Sequence, residues 1–292
     1  RSGSGTDGQA GGGGLVKPIL KYPGAKWRLA PWIIANMPPH ESYLEPYFGS
    51  GAVFFNKPPA RIETINDIDG EVVNFFKVCR DRPDELADLL RLTPWAREER
   101  EAAYSPAGDN LERARLFAVR CWQTFGAFPN VSNGWRHTTG KKKDGGPDNP
   151  KLWARLPECI KAASARLLEA QIENRPAVEV IEAHNGPEVL IYADPPYIKT
   201  TRNTHGDAYT HEMTDSDHEK LLSALTKHEG VVLLSGYENE LYNDLLRDWK
   251  KITEQTQAER GAKRIECLWI NPTGQKKTLF SCLIPSRSQT SF

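Results

Sequence analysis

From about Leu15 onward, short apolar runs alternate along the chain with stretches whose apolar residues recur every three or four positions. Strand-sized runs lie at Ser42–Glu45, Ile62–Asn66, Gln171–Asn174, Val189–Ala193 and Val231–Ser235. Between them the spacing predicts helices. One opens over Gly51 to Asn56, and a second carries Val72, Val73, Phe75, Phe76 and Cys79. Three more follow: one from Pro83, a favoured first-turn residue; the charged Ala96–Tyr104; and one capped by Asp109 that carries Leu116, Phe117 and Trp122. Later helices are expected near Lys151–Glu169, Thr214–His228 and Glu238–Trp249. At the end, Ile265–Ile270 and Thr278–Ile284 flank a turn-rich Asn-Pro-Thr-Gly and read as an antiparallel hairpin. Alternating strands and helices imply an open α/β sheet, which this hairpin makes mixed.

Composition narrows the class. No apolar run approaches the ~20 residues that span a bilayer, and the mean hydropathy is -0.57, so no membrane partner is expected. Lys+Arg and Asp+Glu are both 38, so any nucleic-acid surface must be local. Cys79, Cys121, Cys159, Cys267 and Cys282 are odd in number and scattered, without zinc-ligand spacing. They suggest a reducing cytoplasm and no metal. Residues 1–14, rich in Gly and Ser, read as a disordered tail or tag. His205, His211 and His218 lie among polar residues and are expected at the surface, whereas the aromatic residues of 111–125 are expected in the core.

Candidate chemistry sits at strand ends. In Glu45-Pro-Tyr-Phe-Gly-Ser-Gly51 a strand ends in an acid and a glycine turn follows, bringing backbone N–H groups close to a ligand. Phe54 stands where a dinucleotide fingerprint has its third glycine, and an acid beside the loop suits a cationic, hydroxyl-bearing ligand better than a pyrophosphate. An ordinary tight turn would look the same. Asp67 closes the next strand at the distance from Glu45 expected of an acid that takes ribose hydroxyls, though a solvated strand-end acid fits that position too. Asp194-Pro195-Pro196-Tyr197 follows Val189–Ala193 directly. Two prolines fix φ and remove two donors, so a carboxylate and the Pro195 carbonyl converge at the strand's end beside an aromatic ring. Such acceptors suit an exocyclic amino group, and such a ring suits a planar base.

Taken in order, Lys21-Tyr-Pro-Gly-Ala-Lys26, Glu45–Phe55, Asn66-Asp67 and Asp194–Tyr197 resemble the motif series of Dam-type (alpha-group) DNA adenine N6-methyltransferases, over about residues 17–285. The resemblance implies a Rossmann-like S-adenosylmethionine-dependent methyltransferase fold with a small helical and loop insertion for DNA recognition. Residues 15–80 and 170–288 would be catalytic and 81–169 the inserted target-recognition region. Tyr22 and Lys26 would hold S-adenosyl-L-methionine, the methyl donor, from the N-terminal segment. Glu45, Phe48, Gly49 and Gly51 would line its methionine side, Asp67 would take its ribose, and Asp194 would border both cofactor and target. The catalytic set implied is Asp194, Pro195 and Tyr197, acting on an adenine flipped from duplex DNA, with Tyr197 stacking on the base. The family also admits a restriction endonuclease as functional partner.

Residues 132–155 hold six basic and two acidic side chains, the one clearly basic stretch. Within it Lys141, Lys142 and Lys143 would meet phosphates, and Asn133, Trp135 and Arg136 would approach bases; a merely solvated loop is the plainer reading. The stretch departs from the recognition segment of Dam proteins that methylate GATC, although Gly126-Ala-Phe-Pro-Asn130 is similar to it, so no target sequence is carried over. The same chemistry on RNA or cytosine N4, or a catalytically idle DNA-binding relative, remains open at this point. Phe54 disfavours a nicotinamide oxidoreductase.

Overall fold

Seven strands form one sheet in the order β3-β2-β1-β4-β5-β7-β6. They are β1 (Ser42–Glu45), β2 (Ile62–Asn66), β3 (Ala170–Glu173), β4 (Val189–Ala193), β5 (Val231–Gly236), β6 (Lys250–Gln257) and β7 (Lys263–Ile270). The first five pair in parallel, and β7 runs antiparallel to both β5 and β6. The computed structural model describes residues 17–125, 134–137, 140, 148–198, 201, 210–257 and 263–283, with the backbone alone at 257, 263 and 278–283. No helix among them is long and apolar enough to cross a membrane.

The helices are α1 (Ala30–Ala35), α2 (Gly70–Asp81), α3 (Pro83–Leu92), α4 (Arg97–Ala102), α5 (Asn110–Gln123) and α6 (Asn149–Trp153). After them come α7 (Leu156–Leu167), α8 (Ala177–Ala183), α9 (Asp215–Thr226), α10 (Glu240–Leu245) and α11 (Pro272–Leu283). They cover both faces of the sheet, which is why β4 and β5 are near-continuous apolar runs rather than alternating. Along β5, Val231 and Leu233 join one core with Phe75, Phe117 and Trp153, while Val232 and Leu234 join another with Val180, Leu221 and Tyr242. The two-residue period of a strand produces that division. Helices α5 and α7, from the segment expected to be an insertion, pack on α2 and share the first of these cores.

Of the aromatic residues in 111–125, Phe117 and Trp122 are in the core as expected but Phe125 is exposed, since it lies past the end of α5; three other expectations change. Residues 51–56 form turns rather than an α-helix, because Pro58 and Pro59 follow at once and supply no N–H to prolong it. The terminal hairpin exists but pairs β6 with β7, and Thr278–Leu283 belongs to α11. Asn271 begins that helix: its Oδ1 accepts from Gly274 N at 2.9 Å, and Pro272 takes the first helical position. Strand β6, Lys-Lys-Ile-Thr-Glu-Gln-Thr-Gln, is largely exposed at the sheet edge and carries no apolar run to announce it. The third change is His218, which is fully buried, its Nδ1 3.0 Å from the Tyr242 hydroxyl.

Candidate active site

The strand order reverses between β1 and β4: from β1 the chain moves outward through β2 and β3, then returns to the other side of β1. Open α/β sheets bind ligands beyond the carboxyl ends of the strands at such a point. Here it opens a cavity of about 310 Å³, within the roughly 300–1,000 Å³ of small-molecule sites.

At the end of β1, Glu45 is almost wholly buried, and its Oε2 accepts the Tyr43 hydroxyl at 2.7 Å. Burial, aided by the nearby Asp194 carboxylate, pushes its carboxyl up to about 8, against the opposing Tyr43 bond. The next turn is tied to β2, since Phe48 N donates to Asn66 O at 2.9 Å and Asn66 Nδ2 donates to Pro46 O at 3.0 Å. Gly49 and Gly51 then adopt left-handed φ of 50° and 67°. A Cβ on Gly49 would stand 3.2 Å from the Tyr22 ring, so Tyr22 closes on bare backbone there. On Gly51 a Cβ would meet Phe48 Cζ at 2.5 Å and Phe55 Cε2 at 2.7 Å. Gly51→Ala should therefore cost about 2 kcal/mol or more, lowering the denaturation midpoint. An unchanged midpoint would mean that the turn relaxes freely.

Beyond β2, Asp67 accepts two backbone N–H groups, Gly49 at 2.8 Å and Asp69 at 2.9 Å. Burial nevertheless raises its carboxyl to about 6. Asp69 caps α2 through Glu71 N and accepts the Thr210 hydroxyl at 3.0 Å. Beyond β4, Asp194 Oδ2 lies 2.9 Å from Lys26 Nζ, and its Oδ1 accepts the Tyr197 hydroxyl at 3.2 Å. Burial raises the Asp194 carboxyl too, and Lys26 opposes that rise. The Lys26 ammonium also donates to Gly24 O at 2.7 Å and stands 4.9 Å from the centre of the Tyr197 ring. That ring meets Tyr237 edge to face at 4.6 Å.

Tyr22, Lys26, Glu45, Phe48, Gly49, Asp67 and Asp194 all line the cavity, so residues spread over much of the chain meet in one place. Gly51, Pro195 and Tyr197 adjoin the wall without forming it. Sequence reasoning missed Asp69, Thr210 and Asp217 on the wall, and Glu266, whose Oε1 accepts the Tyr197 hydroxyl behind it. The available signal for Glu266 was a lone acid next to the apolar run Cys267–Ile270.

Trp135 and Arg136 lie elsewhere, at the end of α5. Trp135 forms an isolated bridge with Thr124 and stacks on His137, with the Arg97 guanidinium 5.1 Å from its ring centre. Arg136 Nε donates to Thr124 O at 3.1 Å, and Arg136 O accepts from Trp95 Nε1 at 3.2 Å. Asn133, Lys141, Lys142 and Lys143 lie outside the described residues.

The wall carries the carboxylates of Glu45, Asp67, Asp69, Asp194, Glu212 and Asp217 against the cations Lys26 and Lys220. Such a balance favours a cationic ligand bearing hydroxyls. Residues 22–260 match the D12 class N6 adenine-specific DNA methyltransferase family. The chain is 26% identical over 266 residues to a type II methyltransferase of Lactococcus lactis subsp. cremoris, covering 85% of this chain and 90% of that one. It is 24% identical over 249 residues to a type II methyltransferase of Methanocaldococcus jannaschii, covering 77% and 85%. To a DNA adenine methylase of Serratia marcescens it is 24% identical over 251 residues, covering 80% and 86%. The chain thus belongs to the D12 class of N6 adenine-specific DNA methyltransferases, enzymes that draw their methyl group from S-adenosylmethionine.

Proposed function

We propose that the cavity at the β1–β4 reversal holds S-adenosylmethionine and that Asp194 and the Pro195 carbonyl present the exocyclic amine of a flipped adenine to it. The observation that carries this reading is the convergence of Asp194, Lys26 and Tyr197 beside a cavity whose wall is anionic. The donor set fits the cofactor. Asp194 matches positive charge on it, Glu45 does so once it gives up its proton as the cation arrives, Asp67 just past β2 would take the ribose hydroxyls, and Gly49 keeps bare backbone against Tyr22. When bound, the cofactor supplies a methyl group on a positively charged sulfur, a good electrophile.

The remaining work falls to the chain. Adenine N6 is a poor nucleophile because its lone pair is delocalised into the ring. Hydrogen bonds from its two hydrogens to Asp194 and to the Pro195 carbonyl localise that pair and aim it at the methyl carbon. Lys26 and Tyr197 hold one carboxylate oxygen each, which fixes the direction of the acceptor. Extruding the base from the duplex costs about a few kcal/mol, and the Tyr197 ring offsets part of that by contact with the base. In this reading residues 15–80 and 170–288 do the chemistry while 81–169 read the target. Asn133, Trp135, Arg136 and Lys141–Lys143 are the residues assigned to DNA contact, and a restriction endonuclease is the functional partner suggested by the type II names of two relatives.

Mass spectrometry of nucleosides tests the reading, after unmethylated genomic DNA has been incubated with the protein and S-adenosylmethionine. N6-methyladenine is the expected product, and Tyr197→Ala should lower its rate of formation about 10-fold or more while changing cofactor affinity little. N4-methylcytosine would move the chemistry to another base, and the absence of any modified nucleoside would remove the proposal.

A further inference from the structure

One buried carboxylate has no part in the reaction described above. Glu266 of β7 is 4% exposed and does not line the cavity. Its Oε1 accepts the Tyr197 hydroxyl and lies 3.8 Å from Lys26 Nζ. Asp194 uses the same two groups, with Oδ2 at 2.9 Å from the ammonium and Oδ1 at 3.2 Å from the hydroxyl. Two carboxylates, one on the cavity wall and one buried behind it, therefore share one cation and one phenolic hydrogen.

With both carboxylates ionised, the shared Lys26 ammonium balances only one of them, and holding the second charge beside it under burial is unfavourable. One carboxylate would also face the lone pairs of the phenolic oxygen. A single added proton removes both defects. The ammonium stands closer to Asp194 than to Glu266, and an aspartyl group is the stronger acid, so Asp194 keeps the charge. Burial pushes the Glu266 carboxyl up, in the same sense.

We propose that Glu266 is a positioning residue for methyl transfer: as the neutral acid it donates to Tyr197, whose own hydrogen then points at Asp194 and leaves that carboxylate as the single negative acceptor. This rests on Asp194 being the acceptor of the target amine. The order Glu266 to Tyr197 to Asp194 gives each oxygen one donor and locks the aspartate rotamer from behind.

Several groups set the protonation of Glu266. Lys26 faces it from the N-terminal segment, Asp194 and Tyr197 from the loop after β4, and Tyr192 from β4 itself. From the loop after β5, Tyr237 meets the Tyr197 ring and accepts from Arg264, which shares the strand of Glu266. Across the hairpin its partner is Glu254, which is exposed. As pH rises Glu266 ionises, the bond to Tyr197 reverses, and turnover should fall on the alkaline side.

The test compares wild type, Glu266→Gln and Glu266→Leu in kcat and KM on duplex DNA across pH. Gln keeps the shape, stays neutral and can still donate to Tyr197, so it should retain most of kcat and lose the alkaline fall. Leu cannot donate and should lower kcat about 10-fold to 100-fold, with KM for S-adenosylmethionine nearly unchanged. If Gln is as slow as Leu, the charge of Glu266 is what matters and the proposal is overturned; an alkaline fall that persists in Gln overturns it too. An infrared difference spectrum between wild type and Glu266→Gln near pH 7 reads the acid directly, without DNA or cofactor. A protonated-carboxyl band supports the proposal, and a carboxylate band overturns it whatever the activity. Failure of wild type to make N6-methyladenine, with the acid band present, would count against the reading of Asp194 instead.

Discussion

Asp194→Ala and Asp194→Asn should each lower turnover to N6-methyladenine by about 10³-fold, the scale of losing a preorganised electrostatic partner of the transition state. The two variants fail for different reasons. Ala removes the acceptor, so the amine keeps its lone pair in the ring. Asn keeps the shape but can turn an NH₂ toward the hydrogens of the amine, which reverses the polarity of the contact. Both should fold. Lys26 loses its partner at 2.9 Å but still has Glu266 at 3.8 Å and the Gly24 carbonyl at 2.7 Å, and burial already disfavours the charge on Asp194. Nucleoside mass spectrometry over a time course gives the rate, and circular dichroism checks the fold. Near-normal turnover in either variant would take the reaction away from Asp194.

Glu45→Gln should separate stability from binding. The carboxyl of Glu45 is raised by burial to about 8, against 4.5 for an ordinary glutamate. Its folded-state affinity for a proton therefore exceeds that of the unfolded chain. Between these two values the folded form binds more protons, so stability falls as pH rises from about 4.5 to about 8. Gln carries no such penalty and keeps a carbonyl for the Tyr43 hydroxyl. The variant should match wild type in unfolding free energy near pH 4.5 and exceed it at pH 8 by on the order of a few kcal/mol, with a higher melting temperature there. Affinity for S-adenosylmethionine should move the other way, falling about 10-fold or more as a charge partner is lost. Melting curves at the two pH values with calorimetric titrations decide it. A variant that gains no stability at pH 8, or that binds cofactor as well as wild type, would contradict this account of Glu45.

Much of this site was legible because it lies at strand ends marked by turn chemistry. Asp194 stands directly before the Pro195–Pro196 pair, Glu45 directly before Pro46 and the Gly49–Gly51 turn, and Asp67 just past β2 and shortly before Gly70. Glu266 carries no such mark. It lies within a strand, and only the antiparallel placement of β7 next to β5 brings it to Tyr197. At the end of the chain the local pattern is ambiguous, because Asn271-Pro272 has the composition of a turn. The same pair is a helix start, an acceptor cap followed by a residue that needs no N–H partner. His218 was misplaced because its polar neighbours Asp217 and Glu219 lie on other faces of α9.

The sheet order has a consequence for how the protein comes to be made. Strand β1 pairs with β4 through Ser42 and Val189, so the central contact closes a very long loop, and such non-local pairing slows folding. Strand β7 comes late in the chain and pairs along the edge of β5 at Leu233–Gly236, the end of the apolar row that starts at Val231. On the ribosome that edge emerges before its cover does, and bare apolar edges invite pairing with other chains. The hairpin that brings Glu266 to the site is thus also the cover of that apolar edge.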